Sequence, residues 1–106
     1  MQIDEIRKKL RTYKVLDNDL RLKAYLAIGN RPEISFSELY RKLRAEKGLL
    51  AYHLGVLKAA GLIGVTFERT GKELSKYNLT DEGSSFLREV NSETTFARQK
   101  REILAT

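Results

Sequence analysis

At 106 residues, 42% of them apolar, the chain has room for one domain with a modest core. Twenty Lys and Arg against fourteen Asp and Glu give a net charge of +6 and a pI near 9.7, which points to nucleic acid before an acidic protein surface. With no cysteine and a single histidine, His53, the chain offers no disulfide framework, no thiolate or multi-histidine metal site and no cysteine nucleophile.

Residues 3–15, IDEIRKKLRTYKV, set Ile3, Ile6, Leu10 and Tyr13 at helical spacing. Asp4 and Glu5 stand at the end where a helix favours negative charge. Asp17 or Asn18 caps a second helix, DLRLKAYLAI, in which Leu22 and Leu26 are expected to face inward with Tyr25. The sequence GNRP at 29–32 stops it, since glycine and asparagine suit a left-handed cap and Pro32 cannot continue a helix. A very short strand at EIS leads into Ser35-Phe-Ser-Glu38, a capping box that opens a third helix, FSELYRKLRA, with Leu39 and Leu43 four apart. A fourth helix follows at about 47–60, and Gly61 sits where helices end. From Leu62 the residues turn β-branched and aromatic: LIGVTFER, a polar TGKELS turn and KYNL predict a hairpin. Thr80 then caps a last helix with Asp81 and Glu82 in its first turn, free of proline or glycine from residue 84 to about 104. No apolar run approaches the roughly 20 residues of a membrane span, and no secretory pattern opens the chain. A cytoplasmic protein with no membrane partner is the expectation.

After the first helix, three helices, a hairpin and a last helix follow, which makes a mainly α chain with a small β-hairpin (α+β) in the order of a winged helix-turn-helix. The stretch SELYRKLRAEKGLLAYHLGVLKAAGLI (37–63) resembles the helix-turn-helix of ArsR/MarR-type winged-helix regulators. It is especially similar to the branch whose recognition helix reads G-x-L-x-x-H-L-x-x-L with a downstream A-G-L. Those positions stand here as Gly48, Leu50, His53, Leu54, Leu57, Ala60, Gly61 and Leu62. KYNLTDEG (76–83) resembles the same family's Y-x-L-T-x-x-G return from wing to final helix, and LDNDLRLKAYLAI (16–28) is similar to its L-x-x-x-x-R-x-x-x-L opening. The resemblance covers about residues 16–88. With the apolar stripes of the first and last helices, the chain reads as a single winged-helix domain over 1–106: an N-terminal dimerisation helix (1–15), a winged-helix core (16–80) and a C-terminal dimerisation helix (81–105).

Within that frame the expected function is a homodimeric DNA-binding transcription regulator, with a recognition helix at about 47–60 and a wing at about 63–79. Gly48 falls in the first turn of the recognition helix, where a missing side chain permits close approach to the preceding helix or to a phosphate. His53 shares a face with Leu50, Leu54 and Leu57. It therefore reads as a core-edge histidine hydrogen-bonded to backbone, ahead of a DNA contact. As a metal ligand it has no partner in sequence, and no metal or other cofactor is expected. The opposite face, Leu49, Tyr52, Gly55, Val56 and Ala59, lacks the Arg, Asn and Gln that read base edges, so modest sequence specificity is expected. Arg41, Lys42, Arg44 and Lys47 flank the turn, and Arg69, Lys72 and Lys76 decorate the hairpin, so phosphate and shape contacts carry the affinity. With Gly48, Leu49 and Tyr52, these make up the candidate interface with double-stranded DNA.

Candidate dimer contacts are Ile3, Ile6, Leu10 and Tyr13 on the first helix and Val90, Ala97 and Leu104 on the last. Phe86 and Leu87 are expected to pack on the chain's own core. The alternative reading is a winged-helix protein-interaction module within a larger assembly, its apolar helix face meeting a partner. An enzyme is not expected, because no nucleophile–base pair, phosphate-cradling loop or metal cluster is present in the sequence.

Overall fold

The computed structural model describes residues 2–69 and 73–92, with the side chains of Arg69 and Glu73 excepted. Lys72, Ala97 and Leu104 lie outside the described residues. The order is α1 (Ile3–Leu16), α2 (Asp19–Asn30), β1 (Ile34–Ser35), α3 (Phe36–Leu43), α4 (Lys47–Ala59), β2 (Ile63–Arg69) and β3 (Glu73–Leu79). A final helix, α5, is described over 81–92.

Local chemistry sets most of these boundaries. Asn18, rather than Asp17, caps α2 by accepting from the Arg21 amide at 3.0 Å. Ser35 and Glu38 form the reciprocal capping box of α3. That helix stops at Leu43, two residues short of the sequence expectation. Arg44 adopts a left-handed backbone (φ 51°), and its amide still donates to the Tyr40 carbonyl. Gly61 (φ 78°) ends α4 in a double closure: its amide donates to Lys58 O, and the Leu62 amide reaches back to Leu57 O at 3.1 Å. That 6→1 and 5→2 pair satisfies carbonyls the helix leaves open.

The sheet is larger than the expected hairpin. Its order is β1-β3-β2, all antiparallel, with Ile34 opposite Tyr77 and Val65 also opposite Tyr77. The short EIS segment therefore pairs with the wing's return strand and ties the helix-turn-helix to it.

The core is built from Ala24, Tyr25, Ala27 and Ile28 of α2, Ile34, Leu39 of α3, Leu50, Leu54 and Leu57 of α4, Leu62, Ile63 and Phe86. Each such leucine or isoleucine contributes on the order of 2 kcal/mol by leaving water. One sequence expectation is reversed here. Leu22 and Leu26 do not face inward; they remain 38% and 42% exposed. α2 carries two apolar stripes, and the one holding Ala24, Tyr25 and Ile28 wins the core. Its two small alanines let α2 lie close to its neighbours, and Tyr25, at the last position of the L-x-x-x-x-R-x-x-x-L pattern, finds a polar partner. That partner is the Gly83 carbonyl, to which the buried Tyr25 hydroxyl donates at 2.6 Å.

Candidate nucleic-acid interface

Helix α4 turns Leu50, His53, Leu54 and Leu57 into the core, which fixes its opposite side toward solvent. On that outward side Leu49 and Gly55 are exposed, Tyr52 is 61% exposed and Val56 is half-buried. Nothing stands within 4 Å of where a Cβ at Gly55 would project, so this interior glycine opens a gap on the outward face without a packing reason.

Around this apolar strip the turn supplies charge. Arg41, Lys42, Arg44 and Lys47 are all exposed. Lys47 holds its ammonium 5.1 Å from the centroid of the Tyr40 ring, a contact that stitches the start of α4 to α3. The left-handed conformation of Arg44 swings the chain from α3 into α4, so the bend of the motif is made by a cationic residue.

The start of α4 differs from expectation. Gly48 does not make room for the preceding helix; the nearest atom to a Cβ there is Oε1 of Glu46, at 2.9 Å. Glu46 is the N-cap, and its carboxylate accepts from the Gly48 amide at 3.0 Å. An anionic side chain thus occupies the helix end that would otherwise attract a phosphate. The carboxylate among the cations of this turn is a site residue beyond those expected from sequence, and a Glu just before the first helical residue is its signal.

On the sheet, Lys76 sits opposite Thr66 and pairs with Glu68 at 3.2 Å, which offsets part of its charge. Phe67, on the other face opposite Ser75, is 69% exposed beyond the reach of the core.

His53 is buried, at 6% exposure, but its partner is not backbone. Nδ1 accepts from Nε of Arg21 at 3.2 Å, so the expected backbone bond is replaced by a side chain of α2. Burial first and the Arg21 charge second hold its pKa below the ordinary 6.5. The ring is neutral at pH 7.

The candidate dimer residues divide into two groups. Ile3, Ile6 and Leu10 are exposed, Ile3 at 67%. Tyr13 makes an edge contact with Phe86 at 5.2 Å, and Val90 packs against the core, so both are partly engaged within the chain. Lys8–Glu82 and Lys9–Glu89 ion pairs fasten α1 to α5. Tyr13, Leu16, Leu22, Phe86 and Val90 line a shallow apolar groove between α1, α2 and α5. Among the described residues no group of three or more His, Cys, Asp or Glu could hold a metal ion, and no helix is long and apolar enough to cross a membrane.

The geometry has close counterparts. The winged helix DNA-binding domain family matches residues 20–103. HlyU from Vibrio cholerae is similar with a TM-score of 0.73 at 22% identity, over 86% of this chain and 96% of that one. The transcriptional regulator HlyU from Vibrio vulnificus matches with a TM-score of 0.70 at 26% identity, over 84% and 90%. An ArsR-like transcriptional regulator from Rhodococcus sp. RHA1 matches with a TM-score of 0.64 at 22% identity, over 99% and 92%. Comparison with curated proteins gives no match. The chain belongs to the winged helix DNA-binding domain family, and its fold is that of the HlyU, MarR and ArsR-like transcriptional regulators.

Proposed function

We propose that the protein is a homodimeric transcription regulator that lays α4 in the major groove and rests its wing, β2–β3, on the adjoining backbone. The observation that carries this reading is the exposed strip of α4 with four cations around it at the turn: Arg41, Lys42, Arg44 and Lys47. A strip of that composition contacts thymine methyls and phosphates better than it reads base edges. Affinity then comes mainly from charge, through Arg41, Lys42, Arg44, Lys47, Arg69, Lys72 and Lys76, while Gly48, Leu49 and Tyr52 meet the groove. The exposed Ile3, Ile6 and Leu10 support pairing of α1 between two protomers, with Tyr13, Val90, Ala97 and Leu104 in the same interface. Two recognition helices would then face successive major grooves.

Salt titration tests the charge reading. Replacing Arg69 and Lys72 together by alanine should weaken binding to every duplex and flatten the slope of log K against log salt by about two contacts, roughly 0.9 each. An unchanged slope removes the wing from the interface. A second reading, a protein-interaction module, is favoured by one observation: Leu49 and Tyr52 are exposed on a face with no Arg, Asn or Gln. Failure of the intact protein to shift random duplex DNA at low salt would select it.

A further inference from the structure

Arg21 joins three helices with one side chain. From α2 its Nη1 donates to the Val15 carbonyl in the last turn of α1 at 2.7 Å, and its Nε donates to Nδ1 of His53 on α4 at 3.2 Å. The first bond satisfies a carbonyl that α1 leaves open and places a positive charge at the negative end of that helix. The second fixes the imidazole. With Nδ1 accepting, the neutral ring carries its proton on Nε2.

His53 in turn touches a residue on the outward side. Its ring meets the ring of Tyr52 edge-on, with centroids 5.2 Å apart at 69°. A continuous line of contacts therefore runs from the C-terminal turn of α1 through Arg21 and His53 to Tyr52. No part of the proposed DNA contact uses Arg21 or His53 directly.

We propose that Arg21 and His53 form a positioning joint, which holds the recognition helix and Tyr52 in place for DNA and opens when the imidazole takes a proton. The inference rests on the DNA-binding reading above. The chemistry is a single proton uptake from solvent. Once Nδ1 carries hydrogen it cannot accept, and it faces the Nε–H of a guanidinium that stays charged at any accessible pH. Two donors and two positive charges then oppose each other, so the bond is lost and the groups repel. Among the described residues, α2 presents Arg21 to the ring, the Val15 carbonyl of α1 holds that guanidinium from behind, and α4 presents the Tyr52 ring. Arg21 is the charge that acts on it. The sign follows from that setting. Burial and Arg21 depress the pKa below 6.5, so the joint is closed at neutral pH and opens as pH falls through that lowered pKa.

Binding of the full-length chain to a fluorescent duplex, at fixed ionic strength and in steps from pH 7.5 to 5.0, tests this. Wild-type affinity should hold near neutral pH and fall as pH drops through the His53 pKa, by no more than about tenfold per pH unit, the limit for uptake of one proton. His53→Gln keeps an oxygen that can accept from Arg21 and has no proton to take up in this range. It should bind at pH 7.5 like wild type and change less than wild type as pH falls, whereas Arg21→Ala should be weak throughout. An affinity of wild type that is flat with pH, or a pH response of His53→Gln equal to wild type, overturns the joint. If His53→Gln does not fold, nitrogen NMR of the wild-type imidazole decides. Protonation of Nδ1 must track the loss of binding, and a mismatch of the two midpoints overturns the proposal. Absence of any duplex binding at pH 7.5 overturns the DNA-binding reading itself, and this inference with it.

Discussion

Two glycines at the residue scale carry opposite predictions. A Cβ at Gly83 would stand 2.0 Å from the Leu62 carbonyl oxygen, a backbone atom that cannot move aside without breaking its bond from the Thr80 amide. Gly83→Ala should therefore cost about 3 kcal/mol in chemical denaturation. Gly55 has open space around it, and Gly55→Ala should raise stability by about 1 kcal/mol, because only the helix propensity changes. Tyr25 gives a third test. Burial pushes its hydroxyl up to about 12, against an ordinary 10. Because the folded value is the higher one, its contribution is complete below pH 10 and lost as pH rises through 12. Tyr25→Phe should cost about 1 kcal/mol at neutral pH, through the bond to Gly83, and show a shallower alkaline decline. Urea midpoints at pH 8 and 11 measure both effects.

At the scale of elements, the bend between α3 and α4 holds stability and binding in opposition. Arg44 has a left-handed backbone that costs a non-glycine residue about 1 kcal/mol. Arg44→Gly should recover about that much and raise the melting temperature, while weakening duplex binding by the loss of one cation at the turn. A variant that gains stability and binds DNA unchanged would remove Arg44 from the interface. The elements themselves were largely legible in the sequence, because their signals are local. Ser35 and Glu38 cap α3 as their spacing predicts, Gly61 closes α4, and Thr80 caps α5, its Oγ1 accepting from the Gly83 amide at 3.0 Å. Features that depend on which face meets which neighbour were not legible. Leu22 and Leu26 mimic a core stripe at i, i+4, yet the alanine-lined stripe beside them packs better. The partner of His53 lies 32 residues away, in a helix whose arginine had been read only as part of a motif. Glu46 escaped notice because a carboxylate in a basic turn looks like a stray charge until its bond to the Gly48 amide is seen.

Over the molecule as a whole, the exposed apolar residues fall into two sets. Leu49, Tyr52 and Phe67 accompany the proposed DNA-facing surface, and Ile3, Ile6, Leu10, Leu22 and Leu26 lie on α1 and α2. The second set loses little within a protomer when made polar, since water already reaches it. Ile6→Glu with Leu10→Glu should leave the fold intact by circular dichroism but shift sedimentation from dimer to monomer at micromolar concentration. Binding to a single long duplex should weaken with it, because two joined recognition helices share one encounter. Wild type that sediments as a monomer would break the homodimer reading and leave the fold untouched. The ion pairs from α1 to α5 are exposed at Lys8, so neutralising Lys8 should change stability by less than about 1 kcal/mol.

Thr80 has one more consequence. Its hydroxyl donates to the Gly61 carbonyl at 2.6 Å and its amide donates to the Leu62 carbonyl at 3.1 Å, so the last turn of α4 and the first of α5 meet at one knot. From that knot α4 runs back 13 residues to Lys47, about 20 Å at 1.5 Å per residue. For a rigid α4, that knot would be the fulcrum and the helix the arm. A turn of about 6° at the fulcrum swings the far tip by about 2 Å, which is enough to carry a side chain into or out of contact with a phosphate.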